Sequence, residues 1–143
     1  MIIKQLSVFV ENKKGRLAAI MDALAKNNID ISALSLADTS DFGVLRLILD
    51  KPDEAKKVLN EIGVIVKIAR VIAIAMDDAP GGCAKAIRAI SENNISIEYM
   101  YACIGKVPDK ALMVMRVDDA DAAEKIIGDC GLNDINPEDI YRI

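Results

Sequence analysis

The sequence contains no histidine and no tryptophan, and its aromatic content is only 3%. Without histidine the chain lacks the usual general base at neutral pH and the commonest metal ligand, which weighs against hydrolase and zinc chemistry. With so few aromatics, any core made from the 52% of hydrophobic residues must be aliphatic. The three cysteines, Cys83, Cys103 and Cys130, are odd in number and show no CxxC spacing. They indicate neither a disulfide framework nor a zinc site, and read as small buried hydrophobes. A basic stripe is also missing. The net charge is -4 and the charges are scattered and mixed in sign, which argues against a nucleic-acid partner. The longest apolar run, Val64 to Met76, is broken by Lys67 and Arg70 and is too short to span a bilayer. The first residues, Met1-Ile2-Ile3-Lys4, enter a strand-like pattern directly, without the layout of a leader peptide. The expectation is a soluble, cytoplasmic protein with no membrane partner, metal or cofactor.

What the chain does have is a repeat. Asn12-Lys13-Lys14-Gly15-Arg16-Leu17, ending an alternating run, is followed by a helical stripe of Leu17, Ile20, Met21 and Leu24 and then by Asn27-Asn28-Ile29-Asp30-Ile31. The pattern returns as Asp78-Ala79-Pro80-Gly81-Gly82-Cys83, a stripe of Cys83, Ala86, Ile87 and Ile90, and Asn93-Asn94-Ile95-Ser96-Ile97. Gly15 and Gly81 define an offset of 66 residues. Self-similarity of this kind divides the 143 residues into two small domains, residues 1–69 and 70–143.

Within each copy the order is strand, helix, strand, strand, helix, strand. Gln5–Val10 alternates with Leu6, Val8 and Val10 on one face. The cluster Asp38-Thr39-Ser40-Asp41 is a turn between two strands. Lys51-Pro52-Asp53-Glu54 starts a second helix with the stripe Ala55, Val58, Leu59 and Ile62, and Gly63 stops it. Val64–Ile68 and Val71–Met76 read as two further strands with no Pro, Gly or Ser-rich linker between them, so the boundary lies within almost continuous extended chain near residue 70. In the second copy Ala123, Ile126, Ile127 and Cys130 form the stripe, so that Ile62 to Cys130 gives an offset of 68. Residues 132–143 match a last strand poorly, and Pro137-Glu138-Asp139 reads as a helical turn.

The fold class is therefore α+β: two tandem ferredoxin-like βαββαβ repeats, antiparallel sheets with helices on one face. The other face is also apolar, with Phe9, Leu34 and Leu36 or Val44 and Ile48 on it, so association with the other repeat or another subunit is expected.

The glycine turns at Gly15 and Pro80-Gly81, the strand starts Ile29-Asp30-Ile31 and Ile95-Ser96-Ile97, and Ala33-Leu34-Ser35-Leu36-Ala37-Asp38-Thr39 resemble the ACT domain, a small ligand-binding regulatory module of amino-acid metabolism. The resemblance covers the whole chain as two copies and is similar to small stand-alone tandem-ACT proteins. It implies a non-catalytic regulatory protein that binds a free amino acid at the interface between modules and forms a homo-oligomer, in the simplest case a dimer. The alternative is a ligand-free interaction module that regulates an enzyme of amino-acid metabolism in trans.

The ligand contacts the resemblance implies are Asn12, Gly15, Arg16, Leu17, Asp30 and Ile31, and in the second copy Asp78, Pro80, Gly81, Gly82, Ser96 and Ile97. The chemistry agrees, because a helix N-terminus offers N–H groups and partial positive charge, and glycine lets a carboxylate approach the backbone. Each of these residues also has a structural reading. Gly15 and Gly81 are equally well turn glycines. Arg16 opposes the helix dipole, so either a bound carboxylate or a nearby acid and solvent compensates it. Asp77-Asp78 and Asp118-Asp119-Asp121 suit helix capping better than acid–base or Mg2+ work. Tyr99 and Tyr101 share a strand face, with packing preferred over a pocket role, and Met100, Met113 and Met115 belong in the core.

Overall fold

A computed structural model describes residues 1–38, 41–105 and 107–141; the expected turn residues Thr39 and Ser40 lie outside them. The chain divides into two compact units, a first of Lys4–Ala69 and a second of Arg70–Ile143 together with Met1–Ile3.

In the first unit, β1 (Ile2–Glu11) leads into α1 (Arg16–Lys26), β2 (Ile31–Asp38), β3 (Phe42–Leu49) and α2 (Pro52–Glu61), followed by the start of β4 (Val66–Asp77). The strand order is β2-β3-β1, and the start of β4 lies beside β1, with the Phe9 amide donating to the Ile65 carbonyl at 3.1 Å. Strand parity puts Leu6, Val8 and Val10 of β1 and Leu45, Leu47 and Leu49 of β3 on the helix side. They bury there against Ile20 and Leu24 of α1 and Ala55, Val58 and Leu59 of α2. The core is aliphatic, as the composition requires.

Register corrects one reading of the sheet faces. Leu34 and Leu36 pair with Leu47 and Leu45 and so lie on the helix side, whereas Phe9 pairs with Val44 on the other side. A bulge between Ile31 and Ala33 shifts the alternation, a change that composition does not announce.

The second unit repeats the plan with α3 (Gly82–Ser91), β5 (Ile97–Ala102), β6 (Lys110–Val117), α4 (Ala120–Asp129) and a short α5 (Pro137–Tyr141). Its strand order is β4-β6-β5. Ile72, Ile74, Ala86, Ile90, Met115 and Ile127 anchor its core, with Met100 and Met113 packed against it. The two strands expected at Val64–Ile68 and Val71–Met76 are one strand, β4, because Ala69 and Arg70 supply no turn residue.

A last strand after α4 is not formed among the described residues. Its place beside β4 is taken in part by Leu132, whose carbonyl accepts from the Ala75 amide at 3.0 Å, and in part by Met1, which accepts from Ala73 at 2.8 Å. The Ile2 amide donates to the Glu124 carboxylate at 3.1 Å, and Ile2 packs against this unit's core. The opening residues of β1 thus complete the repeat whose own final strand is missing.

The cysteines depart from expectation. Cys83 and Cys130 are exposed and Cys103 is partly buried. Cys83 and Cys130 fall at the outer ends of their helical stripes, beyond the sheet they were expected to meet. Burial pushes the Cys103 thiol up to about 11, far from the thiolate form that reacts. Alkylation near neutral pH, followed by mass spectrometry, should therefore modify Cys83 and Cys130 quickly and Cys103 only slowly until the chain is unfolded. Equal rates at all three would contradict this burial.

Candidate functional site

The two strand-to-helix turns are built alike. Gly15 sits at φ 86°, ψ -7° and Gly81 at φ 89°, ψ -12°, a left-handed conformation that favours glycine. In each, the residue after the glycine closes a tight turn: the Arg16 amide donates to Lys13 at 3.2 Å and the Gly82 amide to Ala79 at 3.0 Å. Those two N–H groups are used by the fold, so backbone donation to a ligand falls to the residues that follow them. The Asn12 amide donates to Asp41 at 3.2 Å and the Asp78 amide to Asp109 at 3.1 Å. Each turn is thereby tied to the hairpin of its own unit.

The electrostatics of the two turns differ. In the first, Lys13 lies 3.1 Å and Arg16 3.6 Å from one carboxylate oxygen of Glu11. The hydrogen bond and charge of Lys13, with the charge of Arg16, hold the Glu11 carboxyl below its ordinary range. Arg16 is thus compensated by an acid of the protein itself. In the second, Asp77 and Asp78 stand where the first has Glu11 and Asn12. Neither caps α3, whose N-cap Gly81 receives no side-chain bond. Asp77 instead accepts a 2.7 Å hydrogen bond from Lys110, its partner across the β4–β6 pair, and that bond and charge lower its pKa. At α4 the capping expectation is met, with Asp119 accepting from the Ala122 amide at 3.0 Å.

Asp30 and Ser96 also hold equivalent places. The Asp30 amide donates to the Asp50 carboxylate at 3.0 Å, and the Asp50 amide returns a bond to the Asp30 carbonyl at 3.3 Å. The Ser96 amide donates to Asp118 at 3.0 Å, and the Asp118 amide to the Ser96 carbonyl at 3.2 Å. These clasps join the start of the second strand to the end of the third. Ile31 and Ile97 pack against their units' cores.

Three cavities bear on the proposed contacts. One of about 330 Å³ brings Asn12 and Leu17 together with Lys13, Leu36 and Gly43. A larger one, about 520 Å³, takes Arg16 and runs along α1 to the end of α2 and the residues before β4. A third, about 470 Å³, lies along α3 and includes Gly81. Gly15, Asp30, Ile31, Asp78, Pro80, Gly82, Ser96 and Ile97 line none of the three. Sequence reasoning missed the cavity of about 520 Å³, although the exposed end of the α2 stripe, Ile62, lies in it. Among the described residues, no helix is long and apolar enough to cross a membrane.

The duplicated βαββ units, with glycine turns at equivalent places and helices on one side of each sheet, define a pair of small α+β modules. The chain belongs to the ACT domain pair family, whose pattern matches residues 1–143. It is similar to protein BT0572 of Bacteroides thetaiotaomicron, with 36% identity over 100% of this chain and 98% of that one and a TM-score of 0.91. The fold is shared with the regulatory subunit of aspartate kinase from Thermus thermophilus, at 14% identity over 90% of this chain and 96% of that one, TM-score 0.65. The corresponding subunit from Thermus flavus aligns at 16% identity over 92% and 95%, TM-score 0.61. No curated protein matches the chain in sequence.

Two expected outcomes test the turns. Gly82 is buried, and a Cβ there would run into the Asp77 carbonyl, so Gly82→Ala should cost about 1–3 kcal/mol or more through overpacking. Gly15 has open space around it, so Gly15→Ala should cost only the left-handed strain, about 1–2 kcal/mol. Denaturant midpoints that rank the two the other way would refute the clash. Separately, the Asp77–Lys110 contribution is present at neutral pH and lost as pH falls through the lowered pKa of Asp77. In Lys110→Met the Asp77 carboxyl should titrate at higher pH than in the parent protein, read by carboxyl NMR; an unchanged midpoint would show that the pair is not formed.

Proposed function

We propose that this protein is a non-catalytic regulatory protein that binds a free amino acid through its ACT modules. The observation that carries this reading is the glycine turn of the first unit, where Asn12 and Leu17 share a cavity of about 330 Å³ with Lys13. A cation and an amide side chain suit a carboxylate and an ammonium, and Leu17 and Leu36 suit an apolar side chain. The second turn, with Asp77 and Asp78 in place of Glu11 and Asn12, would hold the same ligand differently. The Thermus relatives in fold are regulatory subunits of aspartate kinase, which supports a regulatory reading without naming this chain's ligand.

A second reading, a ligand-free module that regulates an enzyme of amino-acid metabolism through protein contact, is favoured by β2. This strand is an edge of the first unit and leaves Leu34 and Leu36 exposed. Under either reading the protein works as a homo-oligomer in the cytoplasm.

A thermal-shift screen of the proteinogenic amino acids separates the two. Binding at a hundred times the dissociation constant stabilises the fold by about 2.7 kcal/mol, a rise of several degrees in Tm. Asn12→Ala and Asp78→Ala, made separately, should each remove the shift only if their own turn holds the ligand. No shift with any amino acid at millimolar concentration would remove the leading reading and leave the interaction module.

A further inference from the structure

The two cavities beside the first strand-to-helix turn meet at Glu11 and Val10, which line both. Lys13 lines the smaller, of about 330 Å³, and Arg16 the larger, of about 520 Å³. Glu11 bridges these two cations, with Oε2 lying 3.1 Å from the Lys13 ammonium and 3.6 Å from the Arg16 guanidinium. That oxygen is shielded from solvent. A carboxylate of the chain itself therefore already rests on the cation that Lys13 offers to the carboxylate of a ligand.

The second repeat shows that the fold does not require this arrangement. Asp77 stands at the position of Glu11, and its cation comes from the facing strand, where Lys110 lies 2.7 Å away. The residue that faces Glu11 in the same register is Phe42, which carries no charge. The counterparts of Lys13 and Arg16 in the second turn are Ala79 and Gly82. Where the facing strand supplies a cation, these turn positions carry none; where it supplies none, they carry two and the acid folds onto them. Nor does Glu11 cap the helix, since the start of α1 receives no side-chain bond.

We propose that Glu11 is an internal competitor for the ligand: its carboxylate occupies the Lys13 and Arg16 cations in the free protein, and an amino acid binds at this turn by displacing it. The proposal rests on the amino-acid reading above and adds the regulation of that site. All three side chains are accessible to solvent, so the contact sets a threshold for binding and does not block it. An exposed ion pair of this kind is closed often enough to lower the apparent affinity of a competing carboxylate about two- to sixfold. Because Glu11 also lines the larger cavity, the displaced side chain has space to enter.

The test is calorimetric titration of the full chain with the proteinogenic L-amino acids. For those that bind, Glu11→Gln should tighten binding by that factor. Glu54→Gln should leave it unchanged, because Glu54 adjoins Asp53, which pairs with Lys4 at the other end of β1. Amines made by removing the carboxylate from the same amino acids should gain nothing from Glu11→Gln. The gain should also vanish when Lys13→Gln and Arg16→Gln are already present, since no cation is then left to free. In the parent protein, Lys13 and Arg16 hold the Glu11 carboxyl below its ordinary range. Saturation with the amino acid should move it back up in carboxyl NMR, as those cations then serve the ligand. The other charged groups of that larger cavity, Asp22 and Lys26 of α1 and Glu61 of α2, stay in place in every variant.

Weaker binding in Glu11→Gln would make Glu11 a contact for the ligand's ammonium and overturn the proposal. Unchanged affinity, or a Glu11 carboxyl that does not move on saturation, would leave it a surface ion pair and overturn the proposal as well. Both results spare the amino-acid reading. If no amino acid binds either the parent or Glu11→Gln, that reading itself fails and the proposal falls with it.

Discussion

The structure depends on a glycine held in the left-handed region where each unit's first strand becomes its first helix. The two copies reach nearly the same angles, φ 86° and φ 89°, from flanks with little in common, Asn12-Lys13-Lys14 before one and Asp78-Ala79-Pro80 before the other. Such convergence marks a geometric requirement. The chain must leave the sheet, close a turn through the next amide and send a helix back across the strands it has just left. Only then do Ile20 and Leu24, or Ala86 and Ile90, meet the sheet. In a protein with so few aromatics each aliphatic contact contributes modestly, and a misdirected helix would forfeit most of the core of its unit.

The duplication separates what the fold needs from what it leaves open. The carboxylate clasps at Asp50 and Asp118 and the bonds from Asn12 and Asp78 to their hairpins occur in both copies. They satisfy backbone groups at the ends of strands, where no ladder does so. Charge is not repeated. The first turn carries Lys13, Lys14 and Arg16, and the second carries Asp77 and Asp78 with their cation borrowed from Lys110. A carboxylate approaching the first turn meets more positive charge than one approaching the second.

Most of the fold was legible because its signals are local. Helical stripes, stop residues such as Asn28 at φ 53° and Gly63 at φ 81°, and the repeat offset all follow from side-chain spacing and backbone preference. The failures share a different cause, since they depend on which backbone pairs with which. Nothing in the composition says that Met1 and Ile2 stand in for the second repeat's missing strand, or that a bulge at Ile31 puts Leu34 and Leu36 on the helix side. The near-continuity of β4 was legible, because no turn or linker residue separates Ile68 from Val71. For the site, the sequence grouped Asn12 with Leu17, and these share a cavity. It also grouped Arg16 and Asp30 with them, but Arg16 lines another cavity, and the Asp30 backbone takes part in a clasp.

The stripes themselves show where to look when a motif does not locate a site. A helix has a fixed period, but the sheet below it has a finite width, so a stripe can run past the surface it was expected to bury. Leu17 begins one stripe and Ile62 ends another; both obey the period and both are exposed. In the second repeat the matching residues are Cys83 and Cys130, smaller and less costly to leave in water. Large apolar residues retained at positions that the core does not reach are not explained by folding stability. Both such residues of the first unit line cavities, which is where an apolar surplus has chemical use.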